Sequence, residues 1–80
     1  MRWAPHYSRQ AVEALFRTLE REQVKAVRET IIHLLEDPTT SVMRCSEDDP
    51  SIYWVAVPSE HIVYFEIIDE RRVVRIIDIE

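Results

Sequence analysis

The side chains that could take part in chemistry are few and are scattered through the sequence. Histidine occurs three times, as His6, His33 and His61, and cysteine occurs once, as Cys45. Imidazole side chains in general act as acids, bases or metal ligands near neutral pH. The spacing of these three histidines does not support a metal site, so no metal or other cofactor is expected. Cys45 is followed by acidic residues, so it lacks the positive surroundings that activate a thiol.

The charges divide unevenly along the chain. Its 80 residues include 10 basic and 15 acidic side chains, which gives a net charge of −5 at pH 7. Residues 1–40 balance six basic against six acidic side chains, whereas residues 41–80 hold four against nine. Binding to a phosphate backbone depends on clustered Lys and Arg side chains. Little direct affinity for nucleic acid is therefore expected.

Length and composition predict one small domain, residues 1–80, in the cytoplasm. With Cys45 as the only cysteine, no disulfide can form within the chain. A single cysteine without an apolar leader is typical of a reducing, intracellular compartment. No run of about 18 apolar residues occurs, so no association with a membrane is expected.

The first half of the sequence predicts a short strand followed by two helices. Pro5 restricts Trp3–Tyr7 to an edge or irregular strand, and Ser8 fits the N-cap of a helix. Apolar residues then recur at helical spacing: Val12, Leu15, Phe16 and Leu19. A second stripe consists of Val24, Val27, Ile31, Leu34 and Leu35. The change of phase at Glu20–Glu22 predicts a tight turn between two helices, and Asp37-Pro38 ends the second one.

The second half predicts an antiparallel meander of three strands. Thr39–Ser51 is polar and is expected to form a loop. Runs of β-branched and aromatic residues follow, at Ile52–Val57, His61–Ile68 and Val73–Ile79. The predicted fold class is therefore α+β, in the order β-α-α-β-β-β, with a helical hairpin packed on a sheet.

The predicted strands are apolar on both faces, which points to a partner. Alternation places Val63, Phe65 and Ile67 on one face and Ile62, Tyr64 and Ile68 on the other. In the last strand, it places Ile77 and Ile79 opposite Val74 and Ile76. Two helices can cover only one face, so a protein partner or a second copy is expected on the other, unless the loop or the N-terminus folds over it. The residues predicted to contact the partner are Tyr53, Trp54, Ile62, Val74 and Ile76.

Three stretches, taken in order, resemble the RelE/ParE superfamily of type II toxin–antitoxin systems. Ser8-Arg9-Gln10-Ala11 followed by Leu15 resembles the start of its first helix, and Leu34–Pro38 resembles the end of its second. His61–Ile67 resembles the corresponding strand of the ParE branch without a gap. The resemblance implies a RelE/ParE-like fold and a cognate antitoxin as partner.

The resemblance implies two different toxin activities. RelE-type toxins cut mRNA on the ribosome, and the best candidate catalytic set here would be His61, Tyr64, Arg44 and Arg75, with His61 as acid or base. However, His61 stands where that branch has a strand arginine, and Ile52–Val57 contains no basic residue. ParE-type toxins poison DNA gyrase by binding alone, and the gap-free strand match favours this branch. An inactive relative that only binds its partner is the third alternative.

Overall fold

The computed structural model describes residues 3–36, 38, 44–45, 51–58 and 60–80. Its two helices are α1, Arg9–Glu13, which continues as a π-helical turn over Ala14–Thr18, and α2, Arg21–Glu36. Its strands are β1, Ala4–Tyr7; β2, Arg44–Cys45; β3, Tyr53–Ala56; β4, Ile62–Ile68; and β5, Val73–Ile79. A short 3₁₀ turn, Asp69–Arg71, joins β4 to β5. The predicted order of strand, two helices and meander is confirmed.

The strands form one sheet in the order β1-β5-β4-β3-β2. β1 is parallel to β5, and every other pair is antiparallel. β1 lies at an edge of the sheet, as Pro5 predicted. The backbone N–H groups of Ala4 and Ser8 donate to the carbonyls of Arg72 and Ile76, and Pro5 has no N–H to donate. Arg44–Cys45 pairs with β3, so the prediction of an unbroken loop over Thr39–Ser51 was wrong at that point. Two paired residues are too few to leave a periodic pattern in the sequence.

Ser8 joins the start of α1 to the last strand. Its Oγ accepts a hydrogen bond from the Ala11 N–H at 3.1 Å, as predicted for an N-cap. The same hydroxyl donates to the Ile77 carbonyl, and the Ser8 N–H donates to the Ile76 carbonyl at 2.9 Å. The first helix is thereby fixed directly against β5.

The predicted apolar stripe of the first helix was wrong at two of its four positions. Ala11 and Ala14 are buried, whereas Val12 is 39% exposed and Phe16 is 82% exposed. Two small side chains let the helix approach the sheet closely, and a hydrogen bond from the Leu19 N–H to the Ala14 carbonyl closes the wider π turn. Val12 precedes this turn and is exposed as well, so the side of the segment that carries Val12 and Phe16 faces away from the core from the start of the helix.

The second helix follows its predicted stripe. Val27, Ile31, Leu34 and Leu35 are buried. At its start, the Gln23 Oε1 accepts from the Glu20 N–H at 2.9 Å, which is one half of a capping box. The helix ends at Glu36; Asp37, the first residue of the predicted stop signal, lies outside the described residues.

A bulge in β5 changes which side chains face the helices. Phe65 pairs with Ile76, but the neighbouring Tyr64 pairs with Asp78, so Ile77 is an extra residue. One inserted residue reverses the alternation beyond it. Ile79 is consequently buried together with Val74 and Ile76, and the prediction that Ile79 lies opposite them was wrong.

The core lies between the two helices and one face of the sheet. Its fully buried side chains include Phe65, Ile31, Leu34, Ile76, Val27, Val63 and Val74. The opposite, outer face carries apolar side chains that are only half buried, among them Trp54, Ile62 and Ile68. Positive φ angles occur at Glu60 (69°) and Arg72 (54°), so charged residues take the left-handed positions in this glycine-free chain.

Candidate functional site

Tyr64 and Arg75, two of the four predicted catalytic residues, lie on the outer face of the sheet. Trp54 and Asp78 are the cross-strand partners of Tyr64, on β3 and β5 respectively. Arg44 occupies the register position opposite Trp54. Directly opposed residues in antiparallel strands share a face. One row of side chains on the outer face therefore runs from Trp54 through Tyr64 to Asp78.

The surroundings of Tyr64 are acidic. Burial raises the pKa of its phenol, the charge of Glu80 and a hydrogen bond to the Glu80 carboxylate raise it further, and the charge of Asp78 adds to the effect. A phenol with a raised pKa is a weaker acid, and in its neutral form it can donate a hydrogen bond but is a poor base. The two carboxylates would also repel a phosphate group approaching this row.

His61 and Arg75 lie far apart along the direction of β4. His61 is half buried and immediately precedes β4, whereas Arg75 pairs with Glu66, five residues further along that strand. At about 3.4 Å per residue, these two positions are roughly 17 Å apart. Arg75 therefore does not join His61 and Tyr64 in one compact cluster.

The remaining histidines do not approach a common centre. His6 lies on β1 and His33 on the exposed side of α2. Within the described ranges, no three His, Cys, Asp or Glu side chains are grouped so that they could hold a metal ion.

None of the helices that the structure describes is long and apolar enough to cross a membrane.

Only some of the residues that were predicted to contact a partner lie on the outer face; the others face the helices. Trp54 and Ile62 are half buried on the outer face and remain candidates. Val74 and Ile76 are fully buried under the helices, so their inclusion was wrong: the helices cover the face that was expected to be free. Tyr53 also points towards the helices and packs against Phe65, with ring centroids 5.8 Å apart.

A groove on the helical side was missed by the sequence analysis. It encloses about 340 Å³ between the end of β1, the π-helical turn and α2, and its lining consists of Tyr7, Val12, Leu15, Phe16, Val24 and Arg28. We call this surface the hairpin groove. Tyr7, Val12 and Phe16 are three of the four large apolar side chains exposed within the described part of the chain. The small residues Ala11 and Ala14, three apart, were the sequence signal that the buried face lay elsewhere.

The fold recurs in solved toxin structures. No protein-family model matches the chain, and no curated protein matches it either. Structural comparison finds the RelBE2 toxin–antitoxin complex of Mycobacterium tuberculosis, with 17% identity, a TM-score of 0.86, and coverage of 100% of this chain and 91% of that one. The isolated Escherichia coli RelE toxin has 19% identity and a TM-score of 0.80, with coverage of 96% and 81%. The archaeal RelE–RelB complex of Pyrococcus horikoshii has 15% identity and a TM-score of 0.72, with coverage of 100% and 94%.

These similarities extend over nearly the whole chain. The chain therefore has the α+β fold of the RelE toxins. All three of these structures are of the RelE type, so they give no support to the expected preference for the ParE branch.

Proposed function

We propose that this chain is the toxin component of a type II toxin–antitoxin pair of the RelE kind, held by a cognate antitoxin. The observation that carries the proposal is the hairpin groove, in which Phe16 is 82% exposed on a chain with the RelE fold. A large apolar side chain in that position is costly to expose and is typical of an interface. The Mycobacterium tuberculosis and Pyrococcus horikoshii structures similar to this chain are themselves complexes of a toxin with its antitoxin.

The hairpin groove fits a segment of the antitoxin with both apolar and acidic side chains. Its lining is apolar except for Arg28 and the hydroxyl of Tyr7, and the Arg28 guanidinium would donate hydrogen bonds to a carboxylate of the antitoxin at the rim. Burying a phenylalanine side chain contributes about 1.5–3 kcal/mol. Burial of Phe16 alone would therefore strengthen binding by more than tenfold.

Replacement of Phe16 tests this assignment. In Phe16→Ser, affinity for the proposed cognate antitoxin should fall at least tenfold, corresponding to about 1.4 kcal/mol. Arg17→Ser is the matched control, because Arg17 is exposed on the same turn but does not line the groove. Calorimetric titration of both variants measures the effect. Equal affinities for the two variants would place the antitoxin on another surface.

We further propose that the activity of the chain is mRNA cleavage on the ribosome; gyrase poisoning is the less favoured alternative. The similarity to RelE structures supports this order of preference. His61, Tyr64 and Arg44 form the proposed centre, with His61 as acid or base, while Arg75 would act from farther along the outer face. The acidic neighbours of Tyr64 favour a donor role for its phenol.

The two activities are separable in cells that express the chain. Ribosome-dependent cleavage predicts new mRNA 5′ ends, which His61→Ala should remove and His33→Ala should leave in place, since His33 is exposed on α2 away from the outer face. Primer extension on an abundant mRNA detects the cleavage. A gyrase poison would instead give broken DNA and intact mRNA. Cleavage that persists in His61→Ala would remove this residue from the mechanism.

A further inference from the structure

A cleft with positively charged side chains lies on the outer face of the sheet, beside the edge strand β1. It encloses about 270 Å³ where β1, β5 and the turn after β4 meet, and its lining consists of Pro5, His6, Ile68, Arg71, Val73 and Arg75. His6 and Arg75 are register partners on adjacent strands, so their side chains leave the same face about 4.8 Å apart. We call this surface the arginine cleft. It lies on the side of the sheet opposite the hairpin groove and roughly 17 Å along β4 from His61.

The charges of the arginine cleft are unbalanced. No acidic side chain is among its lining residues, although Asp69 and Glu70 lie in the same turn as Arg71. Glu66 is the register partner of Arg75 on β4, yet within the described part of the chain neither Arg75 nor Arg71 forms an ion pair. The guanidinium groups of Arg71 and Arg75 are therefore exposed to solvent beside the apolar side chains of the cleft.

The lining defines the chemistry of a ligand. Guanidinium groups match the two oxygens of a carboxylate, and an imidazole offers at least one N–H donor in either protonation state. Ile68 and Val73 are half buried and present apolar surface beside the cations. A carboxylate with apolar side chains on each side of it would satisfy both parts of the lining.

We propose that the arginine cleft binds an acidic side chain of a protein partner, flanked in the partner by apolar residues. A nucleic-acid strand fits less well, because it carries many charges towards a chain whose net charge is −5. Such a strand also binds protein surfaces by stacking on aromatic rings, and no aromatic ring other than the His6 imidazole lines the cleft. The inference does not require the chain to be a toxin.

Selection from a displayed library of random heptapeptides tests the inference on the full chain. We expect enrichment of peptides with Asp or Glu between apolar residues. The enrichment should disappear with the double variant Arg71→Gln/Arg75→Gln and persist with Arg17→Gln, which changes one charge on the helical side. Peptides retained by the double variant bind another surface, such as the hairpin groove. All three positions are exposed, so the variants should keep the circular dichroism spectrum of the parent chain.

Titration of the enriched peptide completes the test. Its affinity should fall at least tenfold when its acidic residue is replaced by the amide, and amide resonances of His6, Val73 and Arg75 should shift on binding. Absence of an acidic consensus, or the same consensus with the double variant, would overturn the proposal. A six-nucleotide single strand that shifts these resonances when the peptide does not would assign the cleft to nucleic acid instead.

Discussion

Tyr64 shows how neighbouring residues set the chemistry of a single side chain. Its cross-strand partner is Asp78, and its phenol donates a hydrogen bond to the carboxylate of Glu80. Burial and both negative charges favour the neutral phenol. The sequence identified Tyr64 as a candidate residue, but it could not identify its acidic neighbours, because the bulge at Ile77 decides which residue of β5 lies opposite.

The raised pKa of Tyr64 makes stability depend on pH in the alkaline range. Because the folded state holds the proton more tightly than the unfolded chain, the contribution is fully present below about pH 10 and is lost as the pH rises through the raised value. Glu80→Gln should lower the pKa of Tyr64, whereas Glu70→Gln, in the exposed turn, should not. Carbon-13 NMR of the tyrosine ring carbons measures both. An unchanged pKa of Tyr64 in Glu80→Gln would contradict the hydrogen bond.

At the scale of the element, α1 and its π-helical turn separate two surfaces. Ala11 and Ala14 pack into the core, and Val12 and Phe16 form part of the hairpin groove. This assignment makes opposite predictions for two substitutions. Ala14→Leu should lower the free energy of unfolding by about 1–3 kcal/mol, since it overpacks a filled core. Phe16→Ala should change it by less than about 0.5 kcal/mol.

Urea denaturation of the two variants measures these differences. A large loss of stability in Phe16→Ala, with little effect in Ala14→Leu, would mean that Phe16 packs in the core, as the sequence predicted. The comparison therefore tests the orientation of the first helix directly.

The sequence predicted those elements whose pattern is regular. The stripe of α2 from Val27 to Leu35 and the strand Val73–Ile79 agree with the structure, as does the N-cap at Ser8. The two misses have different physical causes. In the first helix the small residues Ala11 and Ala14 form the buried face, and Val12 and Phe16 are exposed, although a larger apolar residue is ordinarily expected in a core. In β5 the extra residue at the bulge reverses the face of Ile79, and hydrophobic periodicity cannot detect such an insertion.

At the scale of the whole molecule, the two sides of the sheet carry different surfaces. The helical side holds the hairpin groove, and the outer face holds Tyr64 and the arginine cleft. An antitoxin in the hairpin groove would leave the outer face open unless a further segment crossed the edge at β1. Control of the proposed toxin would then depend on how far the antitoxin extends around the chain. The proposed catalytic residues could be predicted as a set from the sequence, but their separation on the sheet could not.

The most direct test of the central proposal is the viable count of bacteria after tightly controlled expression of this chain, alone and together with its proposed cognate antitoxin. We predict a loss of at least tenfold in viable cells for the chain alone and normal growth for the pair. Phe16→Ser should remain toxic in the presence of the antitoxin, while Arg17→Ser should be neutralised. Unimpaired growth with abundant folded protein would contradict a toxin function and leave a binding module with the RelE fold.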